Sequence, residues 1–167
     1  MKILIVSATN KSNYNLSNDL NKILLKLKLN SKVISLENYT LPLYTDDNYD
    51  KYKGEFLSTV TSIIEEFINV DKIIFCGPEY NGSIPPIMSN TIAWMSVSTD
   101  NWRDSFNNKF ALLATSSGGP GSKFITSFKI QLEHLGMIVL PRFISVNKNN
   151  PLNAEQCEKI LKQFASV

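Results

Sequence analysis

Five short, mostly apolar runs, each followed by a segment with helical periodicity, restrict this chain of 167 residues to a parallel α/β architecture. The runs are residues 2–6, 31–36, 72–76, 110–115, and a last one over 137–140 and 143–146 that breaks at Pro141. Between them, residues 15–29 carry Leu16, Leu20, Ile23, Leu24 and Leu27 at helical spacing, and 55–70 carry Val60, Ile63, Ile64 and Phe67. Residues 87–97 and 122–135 read as helices, the latter stopped by Gly136, and 153–164 as a helix capped by Asn153. Strands apolar on both faces belong in a sheet covered on both sides, and right-handed crossovers then give a doubly wound, three-layer α/β/α sheet of five parallel strands. Residues 1–167 are expected to form one domain, and residues 38–54, polar and rich in tyrosine, its longest irregular stretch.

Composition narrows the function classes. The hydrophobic share is 43% and the net charge +2, so a strongly acidic electron carrier is disfavoured. Lys22, Lys26, Lys28, Lys51 and Lys53 are scattered and read as solvated faces, so no nucleic-acid partner is expected. No apolar run reaches the roughly 18 residues of a membrane span, and the apolar start at Ile3 is too short for a signal peptide. The expected location is the cytoplasm, away from membranes. Cys76 and Cys157 then read as two reduced thiols. His134 sits late in a helix with no cluster of metal ligands around it, so no metal is expected.

In a doubly wound sheet, ligands bind outside the carboxyl ends of the strands, where the loops after strands one, three and four gather. The first loop, residues 7–15, holds Thr9, Asn10, Lys11, Ser12, Asn13, Tyr14 and Asn15 at a helix N-terminus, a setting that favours phosphate. It has neither the Gly-Lys-Ser/Thr of a Walker loop nor any glycine, and the same residues crowd ordinary capped turns. The second, residues 77–86, runs Gly-Pro-Glu-Tyr-Asn-Gly-Ser-Ile-Pro-Pro. It is stiffened by prolines and offers Pro78, Glu79, Tyr80 and Asn81 to the edge of a flat polar aromatic. It leads into a helix with Asn90 and Trp94. Because this loop is exposed, truncating Asn81 is expected to cost little stability. The third, residues 115–122, carries Ser116, Ser117, Gly118 and Gly119, whose backbone can approach a ligand closely.

The second loop resembles the flavin-ring loop of the NADPH-dependent FMN reductase family through Pro78-Glu79-Tyr80-Asn81 and Ser83-Ile84-Pro85. The third resembles that family's Ser-x-Gly-Gly-x-Gly segment, and Leu41-Pro42-Leu43-Tyr44 with Asp46-Asp47 its Leu-Pro-x-Tyr-acid segment. In the first loop the family runs Gly-Ser-x-Arg-x-x-Ser-x-Asn. Laid on it, Asn10 stands where the family has Arg, Asn13 where it has Ser, and only Asn15 matches. The missing guanidinium implies weak retention of phosphate.

The resemblance implies a flavodoxin-like fold with strand order 2-1-3-4-5 and FMN bound across the three loops. It also implies NADPH or NADH as co-substrate and hydride transfer through flavin N5 with no catalytic side chain. The electrons would pass to a small-molecule acceptor such as a quinone, azo compound, flavin or metal oxyanion. The family implies a homodimer or homotetramer, and Trp94 and Trp102 are read as core or interface rather than ring-stacking residues. A flavodoxin-like electron carrier and a non-catalytic flavin-binding or sensing protein are the alternatives. The absence of a Thr-x-Thr-Gly-x-Thr loop counts against the first, and the lost Arg keeps the second open.

Overall fold

A computed structural model describes residues 2–167. Its strands are β1 (Lys2–Ser7), β2 (Asn30–Ser35), β3 (Lys72–Cys76), β4 (Phe110–Ser116), β5 (Ile138–Val139) and β6 (Ile144–Val146). Its helices are α1 (Ser12–Lys26), α2 (Asp46–Ile68), α3 (Pro86–Ser98), α4 (Ser122–His134) and α5 (Ala154–Ser166). All strand pairs are parallel, in the order β2-β1-β3-β4-β5. β5 and β6 both pair with β4, β5 beside Phe110 and Ala111 and β6 beside Ala114 to Ser116. They share one edge position interrupted around Pro141, which has no N–H to continue a ladder. Order, direction and the broken fifth strand agree with the sequence reading.

The period of two along the central strands sorts the core into two layers. Leu4, Val6, Ile73, Phe75, Ala111 and Leu113 face one way, onto the inner stripes of α2, α3 and α4. Ile3, Ile5, Ile74, Cys76, Leu112 and Ala114 face the other, onto Leu16, Leu20 and Leu24 of α1 and Ile160, Leu161 and Phe164 of α5. Each of these side chains is at most 3% exposed. Burial lifts the Cys76 thiol to about 12 against an opposing hydrogen bond from Ser17, and it also raises the Cys157 thiol. Both cysteines are free and neither is a nucleophile at neutral pH.

The helix boundaries correct the sequence reading at α2 and α1. α2 starts at Asp46 rather than at residue 55, so half of the supposed loop 38–54 is helix. Thr45 caps it by accepting the Asn48 N–H, and Asp46 and Asp47 lie in its first turn, where the helix dipole favours acids. α1 likewise runs three residues earlier than read, from Ser12 to Lys26.

Two lysines close helix ends at the edge of the sheet opposite the strand carboxyl ends. Lys72 Nζ donates to the carbonyls of Phe164, Ala165 and Val167 at the end of α5, and Lys109 Nζ to those of Ile68 and Val70 at the end of α2. Burial pushes both ammonium groups down, which offsets part of what their bonds contribute. Lys72→Met keeps the apolar stem and removes three charge-assisted bonds. It should lower stability by about 1–2 kcal/mol, read as a fall of about 2–8 °C in calorimetry.

Candidate functional site

At the carboxyl end of the sheet the ladder runs on past the strands. Ala8 N donates to Cys76 O at 2.8 Å, Gly77 N to Ala114 O at 3.1 Å and Ser117 N to Val146 O at 3.2 Å. Each loop therefore leaves its strand pinned to the next one over, and the loops after β1, β3 and β4 come together around a cavity of about 490 Å³. That volume is within the range of small-molecule sites, and its place beside the β1–β3 switch point is where such folds bind ligands.

Thr9, Lys11, Ser12 and Asn13 from the first loop line the cavity, with Pro78, Glu79 and Tyr80 from the second and Ser116, Ser117 and Gly118 from the third. Asn10, Tyr14, Asn15, Asn81 and Gly119 are not part of this lining. Glu37, Val146, Asn147 and Lys148 are, and sequence reasoning missed them. They come from the ends of β2 and β6, which reach the site only because β2 lies beside β1 and β6 beside β4. The turn 147–150 is braced: Asn147 Oδ1 accepts the N–H groups of Asn149 and Asn150, and Asn150 Nδ2 donates to Ser145 O.

In the first loop the amides of Asn10 and Asn13 already have partners. Asn10 Nδ2 donates to Asn38 Oδ1 at 3.1 Å, and the Asn10 N–H donates to Glu37 Oε2. Asn13 is fully buried; its Nδ2 donates to Ser116 O at 2.9 Å, and its Oδ1 accepts the Ser116 N–H at 2.8 Å. The Asn13 amide thus braces the first loop against the third, and its groups are engaged before any ligand arrives. Asn15 is exposed on the outer face of α1. What the loop leaves for an anion is Lys11, the hydroxyls of Thr9 and Ser12, and the first N–H groups of α1. The N-cap of α1, Lys11, makes no side-chain cap bond, and its first turn holds no acid.

Glu79 ties the second loop to the third. Its carboxylate accepts the Lys123 N–H at 2.9 Å and the Phe124 N–H at 3.4 Å, capping α4. Gly121, the N-cap of that helix, has φ 67 and no side chain to do so. The Glu79 N–H in turn donates to Ser117 Oγ at 2.8 Å, which meets Thr115 Oγ1 at 2.8 Å. Glu79 is therefore a positioning residue, and the N-terminus of α4 is closed to other anions. Tyr80 stands 49% exposed at the cavity rim.

Asn81 and Gly82 have φ 50 and 73, and Tyr80 and Ser83 exchange both backbone hydrogen bonds across them. This is the mirror-image hairpin turn that favours Asn-Gly. The expectation that truncating Asn81 costs little is corrected here: Ala at that φ is strained by roughly 1–2 kcal/mol. Asn90 and Trp94 do not reach the cavity. Asn90 Oδ1 accepts the Tyr44 N–H, and Asn90 Nδ2 and Trp94 Nε1 both donate to Pro42 O, so they fasten the segment 41–44. Trp94, 1% exposed, is core.

Gly118 and Gly119 have no positive φ, and a Cβ built on either would meet no protein atom within 4 Å. The protein itself therefore imposes no glycine there, whereas a ring seated against the Gly118 backbone would. Among the described residues no group of three or more His, Cys, Asp and Glu side chains could hold a metal, and no helix is long and apolar enough to cross a membrane.

The sheet order and the cavity at its switch point define a flavodoxin-like α/β protein. The chain belongs to the NADPH-dependent FMN reductase family, which it matches over residues 1–151, and FMN with NAD(P)H is that family's cofactor pair. It is 29% identical over 123 residues to the NAD(P)H-dependent FMN reductase LOT6 of Saccharomyces cerevisiae, covering 70% of this chain and 61% of that protein. It is 29% identical over 108 residues to the FMN-dependent NADH:quinone oxidoreductase 1 of Lactococcus lactis, covering 62% of this chain and 50% of that protein. The chain thus spans about half to three-fifths of the length of these curated relatives. The fold superposes on FerB, a flavoenzyme NAD(P)H:(acceptor) oxidoreductase of Paracoccus denitrificans, with a TM-score of 0.79 at 19% identity over 99% of this chain and 95% of that one.

Proposed function

We propose that this protein is an NAD(P)H-dependent FMN oxidoreductase that reduces a small-molecule acceptor by a ping-pong route. The observation that carries the reading is the convergence of three loops on one cavity, with the open N-terminus of α1 at one end and the bare Gly118 backbone at the other. Bound FMN would supply the redox chemistry, taking an electron pair from NAD(P)H and passing it to a quinone, azo compound, free flavin or metal oxyanion.

The protein's own part is placement. Lys11, Ser12, Thr9 and the first N–H groups of α1 hold the phosphate end. Tyr80 and the peptides of 78–80 edge the ring, and the backbone of 116–118 faces its pyrimidine end. The Ser116 and Ser117 N–H groups are spent on Asn13 Oδ1 and Val146 O, so the Gly118 N–H is the donor of this stretch left to stabilise charge on the ring, and those bonds hold it in place without rearrangement. The open rim around Tyr80 leaves room for nicotinamide and acceptor in turn. A homodimer is part of this proposal, supported by Leu43, 69% exposed on the segment before α2, and light scattering should give twice the chain mass.

The test is NADPH and NADH oxidation followed at 340 nm with saturating FMN and a quinone. Parallel double-reciprocal lines as the acceptor is varied are the expected outcome. No consumption of either nucleotide while FMN still binds would leave a binding or sensing protein instead.

A further inference from the structure

The phosphate end of the cavity holds a carboxylate where a phosphate-binding loop would have only donors. Glu37 lies in the 3-10 turn Leu36–Asn38 that follows β2, lines the cavity beside Lys11 and Ser12, and accepts the Asn10 N–H at 2.5 Å. That N–H belongs to the loop that would cradle a phosphate, and Glu37 occupies it. The amides of Asn10 and Asn13 are engaged with Asn38 and Ser116. Lys11 is then the single cation the first loop brings to the lining, and Glu37 offsets it. Position 10 is Asn rather than Arg, and the cavity's two cations, Lys11 and Lys148, are matched in number by Glu37 and Glu79.

A dianionic phosphate placed here gains hydrogen bonds from α1 and attraction from Lys11, but it also meets a fixed negative charge within the same few ångströms. The ring end carries no such opposition, because Glu79 is bound to the first turn of α4 and turned to the protein. Flavin affinity therefore comes from ring and polyol contacts, with the phosphate adding little.

Resting on the flavin reading above, we infer that Glu37 is a specificity-determining residue that withholds phosphate affinity, so that the site accepts riboflavin as readily as FMN. The flavin then exchanges with the solvent pool as a substrate does, instead of staying as a locked prosthetic group. Glu37 is exposed and its side chain contributes nothing to the core, so its replacement leaves the fold alone.

Fluorescence-quenching titrations with FMN and with riboflavin test this on the wild type, Glu37→Gln and Glu37→Ala. Gln has the same shape and can still accept the Asn10 N–H, so only the charge is lost. In the wild type the two dissociation constants should agree within about threefold. Glu37→Gln should tighten FMN at least about tenfold and leave riboflavin within about twofold, with Glu37→Ala changing the FMN-to-riboflavin ratio in the same direction. Raising the salt should shrink the gain. An unchanged ratio in Glu37→Gln, or a wild type that already prefers FMN by more than about tenfold, overturns the role of Glu37 while the flavin reading stands. Binding of neither flavin to the wild type overturns that reading and this inference with it.

Discussion

Replacing Asn13 by Leu should unfasten the first loop from the third and lower stability by about 3 kcal/mol, a fall of about 6–12 °C in thermal midpoint. The two side chains branch alike with the same number of heavy atoms, but Leu is the bulkier, so some overpacking adds to the loss. What is lost is a fully buried amide that meets both backbone groups of Ser116 at the end of β4. A buried donor and acceptor left unpaired cost about 1–3 kcal/mol each, reduced here because Ser116 borders the open cavity. Flavin affinity should drop together with stability, since the braced loops form both ends of the site. Asn13→Ser installs the residue that the family pattern has at this position, but a lone hydroxyl cannot serve both Ser116 groups in the amide's geometry, and most of the loss should remain. Differential scanning calorimetry decides the matter: a shift below about 2 °C for Asn13→Leu would mean that water replaces the amide without cost.

Gly118→Val should have the opposite signature, leaving stability within about 1 kcal/mol and weakening flavin binding at least about tenfold. The Gly118 backbone has no positive φ and its missing Cβ faces open space. The glycines that the fold itself requires are elsewhere. A Cβ at Gly77 would come within 2.9 Å of the Phe124 ring, and one at Gly121, where φ is 67, within 2.6 Å of Thr115. Substitution at either of those should unfold the protein first and tell nothing about the ligand. Chemical denaturation paired with a flavin titration separates the cases. Gly118→Val binding flavin like the wild type would place the ring away from the third loop.

The fold was legible because its signals are local and repeated. Alternation along Leu4, Ile5 and Val6 and the stripe Val60, Ile63, Ile64, Phe67 each name the layer they bury. The start of α2 was missed because its first two turns are polar and Gly54 follows them. The signal lay in Thr45 followed by Asp46 and Asp47, a cap with acids behind it. In the site, the loops were legible and the partners were not. A sequence shows that Asn10 and Asn13 are amides, but not that Asn38 and Ser116 engage them. Glu37 and Lys148 stand far from any motif, and only the neighbourhood of β2 with β1 and β6 with β4 carries them to the cavity. Asn81 was read as a ligand contact, while its φ of 50 shows a backbone demand as well.

One flavin site spanning the three loops at the carboxyl end of the sheet is what the cavity and its lining predict. Amide chemical-shift mapping of the labelled protein during an FMN titration tests it most directly. The expected result is a set of shifts at Thr9 to Asn13, Glu79, Tyr80 and Ser116 to Gly118, with α5 and the opposite edge of the sheet silent. Shifts confined to the groove between β6 and the start of α5, or none at saturating FMN, would contradict it.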